Sequence, residues 1–101
     1  MLNRWSIQQL RIFEAVARHA SYTRAAGELH LTQPAVHIQV KRLEDSVGLP
    51  LIESLGRRLH LTRAGEEVLQ AARDVLGRLR GLADTLVDMS GEVAGPLKVA
   101  A

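Results

Sequence analysis

From Thr62 to Ser90 the chain contains no proline and carries an apolar stripe on a helical period, longer than the remaining residues can cover. Thr62 is a capping residue, and Glu66 and Glu67 fall in the first turn, where the positive end of the helix dipole favours acids. Leu69, Ala72, Leu76, Leu79, Ala83 and Leu86 alternate steps of three and four, while Val68, Val75, Leu82 and Met89 repeat every seven along the adjacent edge. A helix from Arg63 to Ser90 spans roughly 40 Å at about 1.5 Å per residue. One small domain cannot shield that length, so the pattern predicts that two copies of the chain pair through it. Gly77 and Gly81 each cost the helix about 1 kcal/mol relative to alanine. They weaken it without breaking its period.

Upstream, three shorter helices are expected. Ser6 caps the first, whose apolar face is Ile7, Leu10, Phe13 and Ala17 and which ends near His19. Ser21 caps the second, where Ala25, Ala26 and Leu29 permit close packing. His30 and Leu31 make a tight connection, Thr32 is the next cap, and Pro34 falls in the first turn of a third helix, where a missing N–H costs nothing. Val36, Val40, Leu43 and Val47 form the buried stripe of this helix, and Gly48 ends it. The opposite face presents Pro34, His37, Ile38, Lys41, Arg42 and Asp45. Leu51-Ile52-Glu53 and Arg58-Leu59-His60-Leu61 then read as short extended runs around Leu55-Gly56-Arg57, a hairpin with a basic tip. The expected fold is therefore mainly α: a winged helix-turn-helix of three helices and a β-hairpin over residues 1–62, then a dimerisation helix over 63–91.

Charge separates these two parts. Residues 1–63 hold nine basic side chains, eight arginines and Lys41, against five acids, a balance of +4; the rest balances at −2, giving +2 overall. The first part suits a polyanion, and the last looks self-solvating. The absence of cysteine excludes disulfides and thiolate metal sites and favours a cytoplasmic home. No apolar run approaches the roughly 20 residues of a membrane span, and no basic stretch leads into an apolar segment at the start. A soluble, unprocessed protein with no membrane partner is expected.

A tight turn joining the second and third helices, with a basic hairpin beside them, is the layout that lays a third helix in the major groove of duplex DNA. The stretch Ser21 to Leu51, with Leu-Thr-Gln-Pro-Ala-Val and Val-Lys-Arg-Leu-Glu at its centre, resembles the signature of LysR-type bacterial transcription regulators. The likeness continues through Leu-Gly-Arg-Arg-Leu-His-Leu-Thr-Arg-Ala-Gly at residues 55–65 and through the long helix. Within that family the chain looks most like the branch regulating Rubisco and other carbon-fixation operons.

The resemblance implies a reading helix that begins at Thr32, with Gln33, Pro34 and Ala35 at positions that meet base edges and thymine methyls. Gln can pair with adenine N6 and N7, Ala35 can touch a methyl, and Lys41 can reach guanine O6 and N7 or a phosphate. His37 and Ile38 complete the base-reading set. Ser21, Thr23, Arg24, Thr32, Arg42, Ser54, Arg57 and Arg58 are candidates for backbone phosphates and the wing. Two residues depart from the family pattern. His37 stands where a Ser or Thr is usual; an imidazole gains charge as pH falls toward about 6, so DNA binding is expected to tighten there. Ser54 stands where many members carry an arginine for the minor groove, which leaves that contact absent or passes it to Arg57. The family also implies a homodimer on an interrupted inverted repeat, a tetramer for full-length members, and a small-molecule effector bound in a separate C-terminal domain. Residues 92–101, with Leu97 to Ala101, resemble the start of that domain's first strand.

Other chemistries find less support. His19, His30, His37 and His60 share no ligand-like spacing, so no metal is expected, and no cofactor. No nucleophile elbow, glycine-rich loop or paired carboxylates surround the serines and acids, which argues against an enzyme. Trp5, Phe13 and Tyr22 suit core and edge packing better than a base-stacking platform. The rival from another class is a helical oligomerisation module without DNA binding, and salt-dependent binding to duplex DNA separates the two.

Overall fold

The computed structural model describes residues 5–92; the strand expected at Leu97–Ala101 lies outside them. Four helices and one hairpin follow in the order α1 (Ile7–His19), α2 (Tyr22–Leu29), α3 (Gln33–Val47), β1 (Ile52–Leu55), β2 (Arg58–Leu61) and α4 (Arg63–Glu92). The mainly α, winged helix-turn-helix architecture read from the sequence is the one observed.

Local chemistry sets the boundaries. Ser6, Ser21 and Thr32 each sit in extended backbone and accept a hydrogen bond from the N–H three residues on, at 3.0, 3.1 and 3.2 Å. Helix α2 ends in a Schellman motif: His30 takes the left-handed conformation at φ 57, its N–H donates to Gly27 O at 3.4 Å, and the Leu31 N–H donates to Ala26 O at 2.9 Å. That closure makes the turn into α3 short. Gly48, at φ 85, ends α3 with its N–H on Glu44 O.

The strands pair antiparallel from Ile52 opposite Leu61 to Leu55 opposite Arg58, leaving Gly56 and Arg57 as a two-residue loop. Among its two positions only Gly56 has a positive φ, 66, the geometry of a type II′ turn. Leu59 and Leu61 alternate inward while Arg58 and His60 face out.

Helix α1 lies at the centre, touching α2, α3, α4 and β2. Its burial corrects the expected face: Leu10 and Phe13 are buried, but so are Ile12, Ala15 and Val16, whereas Ile7 is 45% exposed. A helix covered from several sides buries more than one stripe, which a single-face periodicity does not register. Ile12, Ala15 and Val16 pack with Ala25, Ala26, Val36 and Val40, and Phe13 packs with Leu43 and Leu51. The second group also gathers Trp5, Val47, Leu61, Val68 and Leu69 around it.

Helix α4 therefore has two regimes. Val68 and Leu69 are half-buried on the domain's core and Ala72 is wholly covered. Those three were expected on the pairing stripe; Ala72 has no surface left for a second copy, because α4 first docks along its own domain. Leu76 is half-buried, while Val75 before it and Leu79, Leu82, Ala83, Leu86 and Met89 after it stand exposed, as does Val87 at 67%. Gly65 makes the docking possible, since a Cβ there would overlap the Leu51 carbonyl oxygen. Thr62 ties the same place: its N–H donates to Leu51 O at 3.0 Å, and its Oγ1 donates to Pro50 O at 2.7 Å while accepting from the Gly65 N–H at 2.9 Å.

Candidate nucleic-acid interface

Helix α3 turns Gln33, Pro34, His37, Ile38, Lys41 and Arg42 to solvent, with Ala35 half-buried at its first turn. Ile38 is 51% exposed, an apolar side chain amid polar ones, suited to a methyl group. All six expected outward residues but one, Asp45, carry no negative charge. Asp45 approaches the Lys41 ammonium at 3.7 Å, with 71% of the Lys41 side chain and 66% of its own exposed. A pair so open to water contributes little, so Lys41 can leave it for an anionic partner.

The first turn of α2 lies against this face. The Tyr22 ring stacks on the His37 imidazole with centroids 3.7 Å apart and planes 22° from parallel. Burial first, and then the Glu44 charge, push the Tyr22 hydroxyl above its ordinary pKa, so the His37 support is a neutral ring. Next to it the Thr23 Oγ1 donates to the Gln33 Oε1 at 3.2 Å. Ser21 and Thr32 spend their oxygen lone pairs on helix capping, which leaves each hydroxyl proton free for a phosphate. In the hairpin, Ser54, Arg57 and Arg58 are all exposed, and Arg24 is exposed on α2.

Behind the face, two polar fixtures hold the elements in place. The Glu44 carboxylate accepts the N–H groups of Leu51 at 2.8 Å and Ile52 at 3.2 Å, fastening the end of α3 to the start of the hairpin. Arg18 makes paired bonds to Glu14 and Glu28, the shortest 2.7 Å to Glu28, and His19 Nε2 lies 2.7 Å from Glu28. This knot joins the end of α1 to α2. Arg18, and then His19, hold the Glu28 carboxyl down at about 2, and the two carboxylates raise Arg18 further above its ordinary value. Sequence reading missed the roles of Glu44, Gly65 and Thr62 Oγ1 on Pro50. Each depends on a return of the chain that no local spacing announces.

Among the described residues no three His, Cys, Asp or Glu side chains gather to hold a metal ion, and no helix is long and apolar enough to cross a membrane.

The family described as bacterial regulatory helix-turn-helix protein, lysR family, matches residues 7–66, the three helices, the hairpin and the first turn of α4. The chain belongs to the LysR family. Among its relatives, the RuBisCO operon transcriptional regulator of Allochromatium vinosum is 53% identical over 95 residues, 94% of this chain and 32% of that protein. The regulator of the same name from Acidithiobacillus ferrooxidans is 47% identical over 95 residues, 94% of this chain and 31% of that one. This LysR-type chain thus spans about a third of the length of the curated relatives it matches. Solved structures agree on the fold. The DNA-binding domain of BenM on its catB site 1 DNA superposes with TM-score 0.75 at 31% identity, covering 89% of this chain and 97% of that one. The CbnR DNA-binding domain in complex with DNA gives 0.71 at 36% identity, covering 89% and 99%. The Allochromatium and Acidithiobacillus relatives are both transcription regulators, in keeping with the expectation of a non-enzymatic role.

Proposed function

We propose that this chain is the duplex-DNA reader of a LysR-type regulator of carbon-fixation genes. The observation that carries the reading is the outward face of α3, where Gln33, Pro34, His37, Ile38, Lys41 and Arg42 are exposed together on a helix capped and projected by a tight turn. Gln33, Pro34, Ala35, His37, Ile38 and Lys41 meet base edges in the major groove. Ser21, Arg24, Thr32 and Arg42 hold phosphates beside it, while Arg57 and Arg58 of the hairpin grip the flanking backbone. Residues 1–62 form the reader, and residues 63–91 pair two copies through Val75, Leu79, Leu82, Ala83, Leu86 and Met89. Pairing sets two copies of α3 in successive major grooves of an interrupted inverted repeat. The names of the relatives supply the class of target gene.

The test is a fluorescence-anisotropy titration of the chain with a carbon-fixation promoter duplex and a scrambled duplex at two salt concentrations. The proposal expects salt-sensitive binding that favours the promoter. Equal binding to both would remove the carbon-fixation assignment, and no binding to either at low salt would remove the DNA reading.

A further inference from the structure

Gln33 is the first residue of α3, and its amide is not a free rotor. Thr23, the second residue of α2, donates its hydroxyl to the Gln33 Oε1 at 3.2 Å. Among the described residues no hydrogen bond engages the Gln33 Nε2, so the carbonyl end is held and the donor end is left for a ligand. The neighbouring pair repeats the arrangement one turn on: Tyr22 precedes Thr23, His37 follows Gln33 by four, and their rings stack at 3.7 Å. Positions four apart lie on one helix face. The first turn of α2 thus braces two successive side chains of the α3 face.

We infer that Thr23 is a specificity-determining positioning residue: it fixes the Gln33 amide so that Nε2 points outward as a donor, and Gln33 then presents one fixed donor–acceptor pattern to the base pair it meets. This rests on the DNA-reading proposal above. Guanine offers two adjacent acceptors, O6 and N7, in the major groove, whereas the bidentate pairing with adenine needs the amide oxygen as an acceptor for N6. The bond from Thr23 uses one of the two lone pairs of Oε1 and leaves the other for adenine N6. The tether therefore fixes which way the amide faces, and with it the donor–acceptor pattern that Gln33 presents, rather than removing either end from use. The same contact removes Thr23 from the set of phosphate clamps, because its one hydroxyl proton is spent on Gln33.

The experiment is a competition titration of the 101-residue chain against duplexes carrying all four base pairs at each position of a bound site. Wild type, Q33A, T23V, T23S and the double variant T23V/Q33A are compared. The pair at which Q33A stops discriminating marks the Gln33 contact. There, wild type prefers one base pair over the other three. T23V, which keeps the shape and loses the hydroxyl, reduces that preference about two- to tenfold, the range of one modest hydrogen bond. T23S restores it, and T23V adds nothing to the preference of Q33A, as two residues acting through one contact require. The slope of log K against log salt, which counts neutralised phosphates, stays at the wild-type value in T23V. A T23V that weakens all duplexes alike and lowers that slope would make Thr23 a phosphate clamp and overturn the inference. So would a T23V with unchanged base preference. Failure of wild type to bind any duplex at low salt would instead sink the DNA-reading proposal itself.

Discussion

Gly65→Ala and Gly77→Ala make the same chemical change in the same helix and should move stability in opposite directions. At Gly77 a Cβ meets nothing within 4 Å, so alanine brings only its helix propensity, a gain of about 1 kcal/mol. At Gly65 the same propensity gain is at most that large, because the residue sits in the first turn. Against it stands the overlap of the new Cβ with the Leu51 carbonyl oxygen, a backbone atom that no rotamer change can move aside. Overpacking of this kind costs about 1–3 kcal/mol. Relieving it by shifting α4 also strains the Thr62 N–H bond to Leu51 O at 3.0 Å, worth about 1 kcal/mol net. The difference leaves Gly65→Ala destabilising by about 2 kcal/mol, or on the order of 10 °C in Tm for a domain of this size. Urea denaturation followed by circular dichroism, at one fixed protein concentration because pairing couples to stability, measures both variants. A Gly65→Ala protein as stable as wild type, or shifted in the same direction as Gly77→Ala, would refute the argument that close approach to β1 requires this glycine.

Four further outcomes are expected. Glu44→Ala leaves the Leu51 and Ile52 N–H groups without their acceptor and should lower stability by about 2 kcal/mol in the same urea assay, whereas Glu44→Gln, which keeps one acceptor oxygen, should lose less than half of that. Leu82→Glu and Leu86→Glu place charge on the exposed stripe of α4 and should shift the chain toward monomer in sedimentation equilibrium; unchanged association would place the pairing surface elsewhere. Glu28 has its folded-state pKa lowered, from 4.5 to about 2, so the stabilisation from its ion pairs is present above the unfolded value and fades as pH falls through the folded one. Arg18→Ala should bring the Glu28 titration back toward the ordinary carboxylate range by NMR, and a Glu28 that still titrates near the low value would show that Arg18 is not the cause. Lys41→Ala should cost about 1–3 kcal/mol of binding and relax one base preference if Lys41 reads guanine, but weaken all sequences equally if it holds a phosphate; unaltered affinity would remove Lys41 from the interface.

Much of the architecture was written in short stretches of residues. Ser6, Ser21 and Thr32 announced helix starts, and Val36, Val40 and Leu43 announced the inner stripe of α3. Caps and stripes of this kind act within one or two turns, so a local pattern suffices to reveal them. The outward face of α3 was legible for the same reason, as the complement of its buried stripe. What the sequence alone determined, then, was the set of elements, their limits and the likeness to LysR-type regulators.

Tertiary structure decided what each side chain meets. The apolar positions of α4 share one period, but only the docking of its first turns on α1 and the hairpin sends Ala72 inward and leaves Leu82 and Leu86 exposed. Glu44 is one of several acids until the chain returns to set Leu51 and Ile52 against it. Thr23 and Gln33 are ten residues apart, and their bond exists because the angle between α2 and α3 brings one helix start onto the other. Helix period fixes directions about a single axis; the crossing of two axes depends on how side chains interlock along their whole contact, and no single stretch of sequence contains that information.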